Sequence, residues 1–110
     1  MIQVVARAAT NSDVFNAIAE PQRRAILDFL AKDEHSVSAI VQALGLPQPS
    51  VSKHLRVLRE VRLVEVRREG KQVLYRTNVE AIRPLHEWTN RLASHWGRQL
   101  TRIKARAERD

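Results

Sequence analysis

Basic and polar side chains gather in one stretch of the chain, between Gln48 and Arg76. This stretch has eight lysines and arginines against three glutamates, so it holds most of the formal net charge of +7. Glutamine, lysine and serine side chains can hydrogen-bond base edges, and arginine and lysine attract phosphate. The stretch therefore favours binding to an anionic partner, with nucleic acid first and an anionic membrane surface second.

The first part of this stretch predicts a helix with two unlike faces. Val51, Leu55 and Leu58 lie on one side of a helical wheel, whereas Lys53 and Arg56 lie opposite. When such a helix enters a major groove, its N-terminal residues approach base edges and its basic side chains grip phosphate. The candidates for these contacts are Gln48, Ser50, Ser52, Lys53, His54 and Arg56. The histidine among them lies at the flank of the wheel, so we assign it to phosphate contact or to packing.

A shorter helix is predicted before this one and a β-hairpin after it. Ser36 is placed to cap the shorter helix, and Gly45 is placed to end it. Two runs rich in Val, Leu and Tyr, 63–68 and 72–77, flank a turn that contains Gly70. The basic side chains of this hairpin suit contact with phosphate or the minor groove: Arg67, Arg68 and Lys71.

The order of these elements resembles a known protein family. AEPQRRAILDFLAK, LGLPQPSVSKHLRVLREVRLV and VRREGKQVLYR, within roughly residues 12–78, are similar to the ArsR-type winged helix-turn-helix repressors. The resemblance implies a mainly α fold with a small β-hairpin (α+β). It implies one winged helix-turn-helix domain over residues 1–110, with the helix-turn-helix at 36–61, the hairpin or wing at 63–77 and a C-terminal dimerisation helix at 79–108.

The resemblance implies a repressor of transcription, here a cysteine-free one that we expect to be a homodimer. Such a protein would bind double-stranded DNA near its own gene, through the major groove of an inverted-repeat operator. Neither the operator sequence nor an inducer can be read from the residues.

Two positions depart from the family's pattern. Pro47 stands where a Ser or Thr N-cap is expected, which forgoes about 1 kcal/mol. Arg62 stands where the family usually has Gly, so a left-handed backbone there would cost roughly 1 kcal/mol. The pair Arg23 and Arg24 does follow the family, and phosphate contact, an ion pair between helices and simple solvation all stay open for it.

Two further helices are predicted ahead of the helix-turn-helix. Ser12 can cap the first, and Glu20-Pro21 separates it from the second, at about 21–32. Residues 1–10 are mildly apolar without a clear period, which is typical of an arm or an extra helical turn.

From about residue 79 the pattern changes to one long helix with apolar residues three or four apart. This stripe exceeds what a domain of this size needs for its core, so we expect a seam with a second copy. We assign the seam to residues of this helix and of the first helix: Phe15, Leu85, Trp88, Leu92, Trp96, Leu100 and Ile103. The alternative is a helix that folds back on its own domain.

Several other classes of protein are disfavoured by the sequence. The chain has no Cys, which excludes disulfides and thiolate metal sites and fits a cytoplasmic protein. Without a Ser-His-carboxylate pattern, a Gly-rich phosphate loop or paired carboxylates, we predict no enzyme and no cofactor. No apolar run approaches the roughly 18 residues of a membrane span, so we expect no membrane partner.

Two sensor functions stay open as alternatives. Relatives of the resembled family respond to metal ions, and His86 and His95 could be ligands, but Arg98 stands where a second acid is needed. A small molecule or partner protein could instead bind around Trp88 and Trp96.

Overall fold

The computed structural model of this protein describes residues 11–109. The described elements are α1 (Asn11–Ala17), α2 (Pro21–Lys32), α3 (Val37–Leu44), α4 (Gln48–Glu60), β1 (Val64–Glu69), β2 (Gln72–Thr77), a 3-10 turn (Val79–Ile82) and α5 (Arg83–Arg109). The predicted fold class, a winged helix-turn-helix with a long C-terminal helix, is confirmed. The arm predicted at residues 1–10 lies outside the described residues.

The core lies where α2, α3 and α4 meet the base of the hairpin. Its largest fully buried side chains are Ile26, Leu30, Ile40, Val51, Leu58 and Leu63. Helix α1 adds Val14 and Ala17, and the first turn of α5 adds Leu85. Because the apolar stripe of α4 faces this core, the opposite face of α4 must point to solvent.

The ends of α2 and α3 form as the sequence predicts. Pro21 begins α2 after an extended Glu20, with φ −84° and ψ 123°. The Ser36 hydroxyl caps α3 by accepting a hydrogen bond from the Ala39 amide at 3.2 Å. Gly45, with φ 65°, ends α3 in the left-handed conformation that glycine adopts without strain.

The start of α1 differs from the prediction. The described helix already includes Asn11, so Ser12 lies inside its first turn and is not the N-cap residue. Hydrophobic periodicity indicated a helix here, but the residue type alone placed its first residue wrongly.

Both departures from the family's pattern have the backbone consequences expected. Pro47 precedes α4 in an extended conformation and gives it no side-chain cap. Arg62 adopts φ 66°, the left-handed conformation. Its backbone carbonyl accepts a hydrogen bond from the side-chain amide (Nδ2) of Asn78 at 3.0 Å, which helps to hold this unfavourable backbone conformation in place.

The hairpin, called the wing below, turns over two residues. Pairing of Glu69 with Gln72 leaves Gly70 and Lys71 as the turn, and Gly70 has φ 63°. Strand β1 starts one residue later than predicted, because the Leu63 amide donates to the Leu58 carbonyl of α4 at 2.9 Å and the strand pairing begins at Val64.

Helix α5 leaves the core soon after it begins. Pro84 lies in its first turn, as expected, and Leu85 is its buried contact. Large apolar side chains farther along are exposed to solvent: Trp88 44%, Leu92 40%, Trp96 53% and Ile103 63%. Among residues 11–109 there is no helix long and apolar enough to cross a membrane.

Candidate nucleic-acid interface

The outer face of α4 presents polar and basic side chains that nothing else in the described chain engages. Gln48, Ser52, Lys53 and Arg56 are exposed, and Ser50 is half-buried. In the described range, none of these side chains has a hydrogen bond or ion pair with another residue. The buried stripe on the opposite face holds the helix rigidly, so these donors and acceptors stand on a fixed platform.

The N-terminal turn of α4 adds free backbone donors to this face. Because Pro47 offers no cap, the amides of Gln48 and Ser50 lack a side-chain partner within the described residues, and Pro49 has no amide hydrogen. Free amides at a helix N-terminus favour anions such as phosphate. The N-terminal end of α4 therefore carries side chains that can hydrogen-bond base edges and backbone amides that can bind phosphate.

The wing carries three predicted contact residues, and the structure distinguishes between them. Arg68 and Lys71 are exposed and have no ion pair with any residue of the described range. Arg67 is held by Glu34, to which its Nε donates at 2.8 and 3.0 Å, and its Nη2 contacts both Glu34 and Glu69. The free positive charge of the wing thus lies at its tip.

The ion pair changes the proton affinities of both partners. Hydrogen bonding to Glu34 raises the pKa of Arg67, and the same bond lowers the pKa of the Glu34 carboxyl. Both groups are therefore charged at neutral pH. Glu34 precedes α3, so the pair fastens the wing to the helix-turn-helix.

His54 is placed differently from the other predicted contact residues of α4. Its side chain is buried, and its two ring nitrogens are bonded to Arg23 at 3.2 Å and to Gln22 at 2.9 Å. We therefore correct its assignment to DNA contact, because the ring faces α2 rather than solvent. Its position at the flank of the wheel left packing open, and packing is what the structure shows.

Sequence reasoning did not find the partners of these residues. Gln22, Arg23 and Glu34 lie more than thirty residues before the side chains that they bind. Local periodicity carries no signal for such pairs. The one available sign was the position of Arg23 and Arg24, which follows the family's pattern.

Comparison with known proteins decides the family. Residues 20–66 match the family model described as "Bacterial regulatory protein, arsR family". The Bacillus subtilis transcriptional repressor SdpR is 30% identical over 77 residues, which cover 70% of this chain and 86% of SdpR. The chain belongs to the ArsR family.

Other comparisons agree with this membership. The HTH-type transcriptional regulator KmtR of Mycobacterium tuberculosis is 42% identical over 73 residues, which are 66% of this chain and 56% of KmtR. The match thus spans only about half of that relative. An ArsR-like transcriptional regulator from Rhodococcus sp. RHA1 superposes with a TM-score of 0.69 at 28% identity, over 86% of this chain and 89% of the other. These relatives are transcriptional regulators and repressors.

The predicted seam residues of this ArsR-family chain fall into three groups. Phe15 and Trp88 meet edge to face, with ring centroids 5.4 Å apart, and so join α1 to α5. Leu85 is 9% exposed and belongs to the chain's own core, which corrects its assignment to the seam. Leu92, Trp96 and Ile103 are exposed, as is Trp88 outside its ring contact with Phe15, at 44%. The side chain of Leu100 lies outside the described part.

Metal ligands are not brought together in the part of the chain that the structure describes. Residues 11–109 contain no group of three or more His, Asp or Glu side chains that could hold a metal ion. His86 and His95 are both exposed on α5, and the Gln99 side-chain amide nitrogen lies 3.4 Å from Nε2 of His95.

Proposed function

We propose that this ArsR-family protein is a homodimeric, sequence-specific DNA-binding repressor that reads an inverted-repeat operator through α4. The observation that carries the proposal is the outer face of α4. This face consists of exposed donors and acceptors with no partner in the described chain, and the opposite face is buried. Family membership supports the same function, because the relatives are transcriptional regulators and repressors.

The first half of α4 is suited to read bases. With this helix in the major groove, Gln48 can bond adenine N6 and N7, and Lys53 can bond guanine O6 and N7. Ser50 and Ser52 can donate to or accept from either kind of base. Arg56 lies one turn farther along and can reach a base or a phosphate.

The wing supplies contacts that do not depend on sequence. Arg68 and Lys71 carry free positive charge at its tip, where they can approach phosphate or the minor groove. Arg67 contributes less than the sequence alone suggests, since its charge is matched by Glu34 and Glu69.

The exposed apolar side chains of α5 support pairing with a second copy. Trp88, Leu92, Trp96 and Ile103 are each at least 40% exposed and lie on one helical stripe, and such stripes commonly mark protein interfaces. A two-fold dimer would present two copies of α4 to half-sites about 34 Å apart. This two-fold symmetry is why we propose an inverted repeat as the operator.

Repression would follow from occupancy of a promoter. A dimer bound with ~nanomolar affinity near its own gene would exclude polymerase sterically. A DNase I footprint of the DNA upstream of this gene tests the proposal, with Lys53→Ala as the comparison variant. We expect a protected inverted repeat for the natural protein and weaker protection for the variant. Absence of protection, or equal protection by both proteins, would contradict the proposal.

Regulation by a small molecule is the second candidate function, favoured by the exposure of Trp88 and Trp96. A ligand that bound there would compete with self-association and change tryptophan fluorescence. Titration of the protein with small molecules at fixed protein concentration would detect this change, and an unchanged spectrum would argue for a repressor without an inducer at that face.

A further inference from the structure

Arg23 connects three helices through one guanidinium group. From α2, its Nε donates to Nδ1 of His54 in the middle of α4 at 3.2 Å. Its Nη1 donates to the carbonyl oxygen of Ala17, the last residue of α1, at 3.4 Å. Helix α1 in turn contacts α5 through Phe15 and Trp88. Arg23 therefore links α4, whose outer face carries the candidate base contacts, to α1, which packs against α5.

His54 completes this connection as a neutral ring. Its Nδ1 accepts the hydrogen bond from Arg23, so its proton must be on Nε2, which donates to the Gln22 side-chain oxygen at 2.9 Å. The side chain is only 8% exposed, so water can replace neither partner easily. Protonation would put a hydrogen on Nδ1, facing the Arg23 donor.

The surroundings of the ring favour this neutral form. Burial, followed by the positive charge of Arg23, holds the pKa of His54 below its usual value. Of the other charged groups that act on the ring, Glu20 at the start of α2 raises the pKa and Lys53 on α4 lowers it. The acceptor nitrogen is therefore available at neutral pH and is lost in acid.

We propose that Arg23 is a positioning residue for DNA reading: acting through neutral His54, it fixes α4 to the ends of α1 and α2. This inference rests on the proposed function, since α4 is there the helix that reads DNA. Lys53 is adjacent to His54, and Ser50 lies one turn before it. A change in the contacts between the His54 ring and α2 would therefore move the residues of α4 that face the bases.

Arg24 provides a matched control within the same helix. Its Nη1 donates to the Ile18 and Ala19 carbonyls at 2.7 and 3.3 Å, so it also ties α2 to the end of α1. It has no hydrogen bond to α4 in the described part of the chain. Replacing Arg24 removes a charge and a link to α1, but leaves the anchor of α4 intact.

The first test uses the free protein, as the natural chain, Arg23→Gln and Arg24→Gln. We expect ¹⁵N NMR to show the His54 proton on Nε2, and hydrogen exchange to show about tenfold or greater loss of amide protection in α4 for Arg23→Gln alone. A proton on Nδ1, or equal α4 protection in the two variants, would overturn the proposal.

The second test uses two substitutions of equal size. His54→Asn places an acceptor oxygen near the Nδ1 position, whereas His54→Leu has the same shape without an acceptor. We expect fluorescence anisotropy at pH 8, with a duplex from upstream of the gene, to show near-natural affinity for the Asn variant. We expect roughly tenfold weaker binding for the Leu variant. Equal affinity of the two variants would overturn the role of the acceptor.

The same assay against pH separates positioning from simple charge. From pH 7.5 to 5.5 at constant ionic strength, we expect DNA affinity to fall for the natural protein and to change less for His54→Asn. The other three histidines are present in both proteins and serve as the internal control. Tighter binding in acid by the natural protein alone, as a new cation near phosphate would give, would contradict the proposal. If the natural protein bound no DNA, the proposed function would fail, and the NMR comparison would still decide whether Arg23 anchors α4.

Discussion

Helices α4 and α5 have the same kind of sequence but different surroundings. Both carry an apolar stripe on one side and several basic residues on the other. In α4 the stripe is buried, with Val51 and Leu58 at 0% exposure, whereas in α5 Trp96 is 53% exposed and Ile103 63%. An apolar stripe thus stabilises the chain itself in the first case and stays exposed in the second.

This difference shows what amphipathic periodicity does and does not determine. It predicts which side of a helix prefers to leave water, but not which surface covers that side. The chain covers α4 with α2, α3 and the wing. It covers only the first turns of α5. Burying the exposed apolar surface of the remaining turns against another molecule would therefore still release free energy.

The largest effect is expected in the buried stripe of α4. Leu58→Ala should destabilise the fold by about 2–5 kcal/mol, because it leaves a cavity among fully buried side chains. Urea unfolding measures this. The matched control is Leu92→Ala, the same truncation at an exposed site of α5, for which we expect less than about 0.5 kcal/mol at protein concentrations low enough to prevent self-association. Similar losses in both variants would remove the distinction between the helices.

The next effect concerns the exposed stripe of α5. Trp96→Ala should weaken self-association by about 2 kcal/mol, roughly thirtyfold, while unfolding of the dilute protein changes little. Sedimentation equilibrium measures the association. Arg98→Ala, an exposed substitution outside the apolar stripe, is the control. If the natural protein stayed monomeric at high concentration, the role assigned to α5 would be wrong.

The polar face of α4 is expected to give a comparable or smaller effect. Lys53→Ala should cost about 1–3 kcal/mol against the preferred duplex and relax the preference at one base position. Lys71→Ala on the wing should instead weaken binding to all sequences and lower the salt slope by about one. Binding measured on a set of single-base operator variants separates these outcomes. A change of base preference in the wing variant alone would mean that the wing, and not α4, reads the bases.

The sequence predicted the elements of this fold well because their signals are local. The Ser36 cap, the Gly45 stop and the turn at Gly70 each depend on a few neighbouring residues, and the structure has them where expected. The burial of His54 against α2 and the ion pair of Arg67 with Glu34 were not predictable in this way. They depend on Arg23 and Glu34, which become neighbours only after the chain folds.

The smallest effect is expected at the ion pair between Glu34 and Arg67. Glu34→Gln should leave Arg67 paired only with Glu69 and raise the affinity for all DNA sequences by at most about threefold, since an exposed ion pair contributes little. The pKa of Glu34 is lowered from 4.5, so any stability from the pair is present above that pH. It is lost as the pH falls further and Glu34 takes up a proton. Acid unfolding of the natural protein and the variant should therefore converge at low pH. Weaker DNA binding by Glu34→Gln would show that the pair supports the wing rather than restraining Arg67.

DNA reading by α4 is tested most directly by fluorescence anisotropy with a duplex from upstream of this protein's own gene and a shuffled duplex, over a salt series. We expect a preference of about 1000-fold for the natural duplex, with affinity that falls steeply as salt rises. Equal, salt-sensitive binding to both duplexes would mean that α4 and the wing bind this DNA electrostatically, without reading its sequence. No binding to either duplex at low salt would contradict the proposal that the outer face of α4 reads DNA.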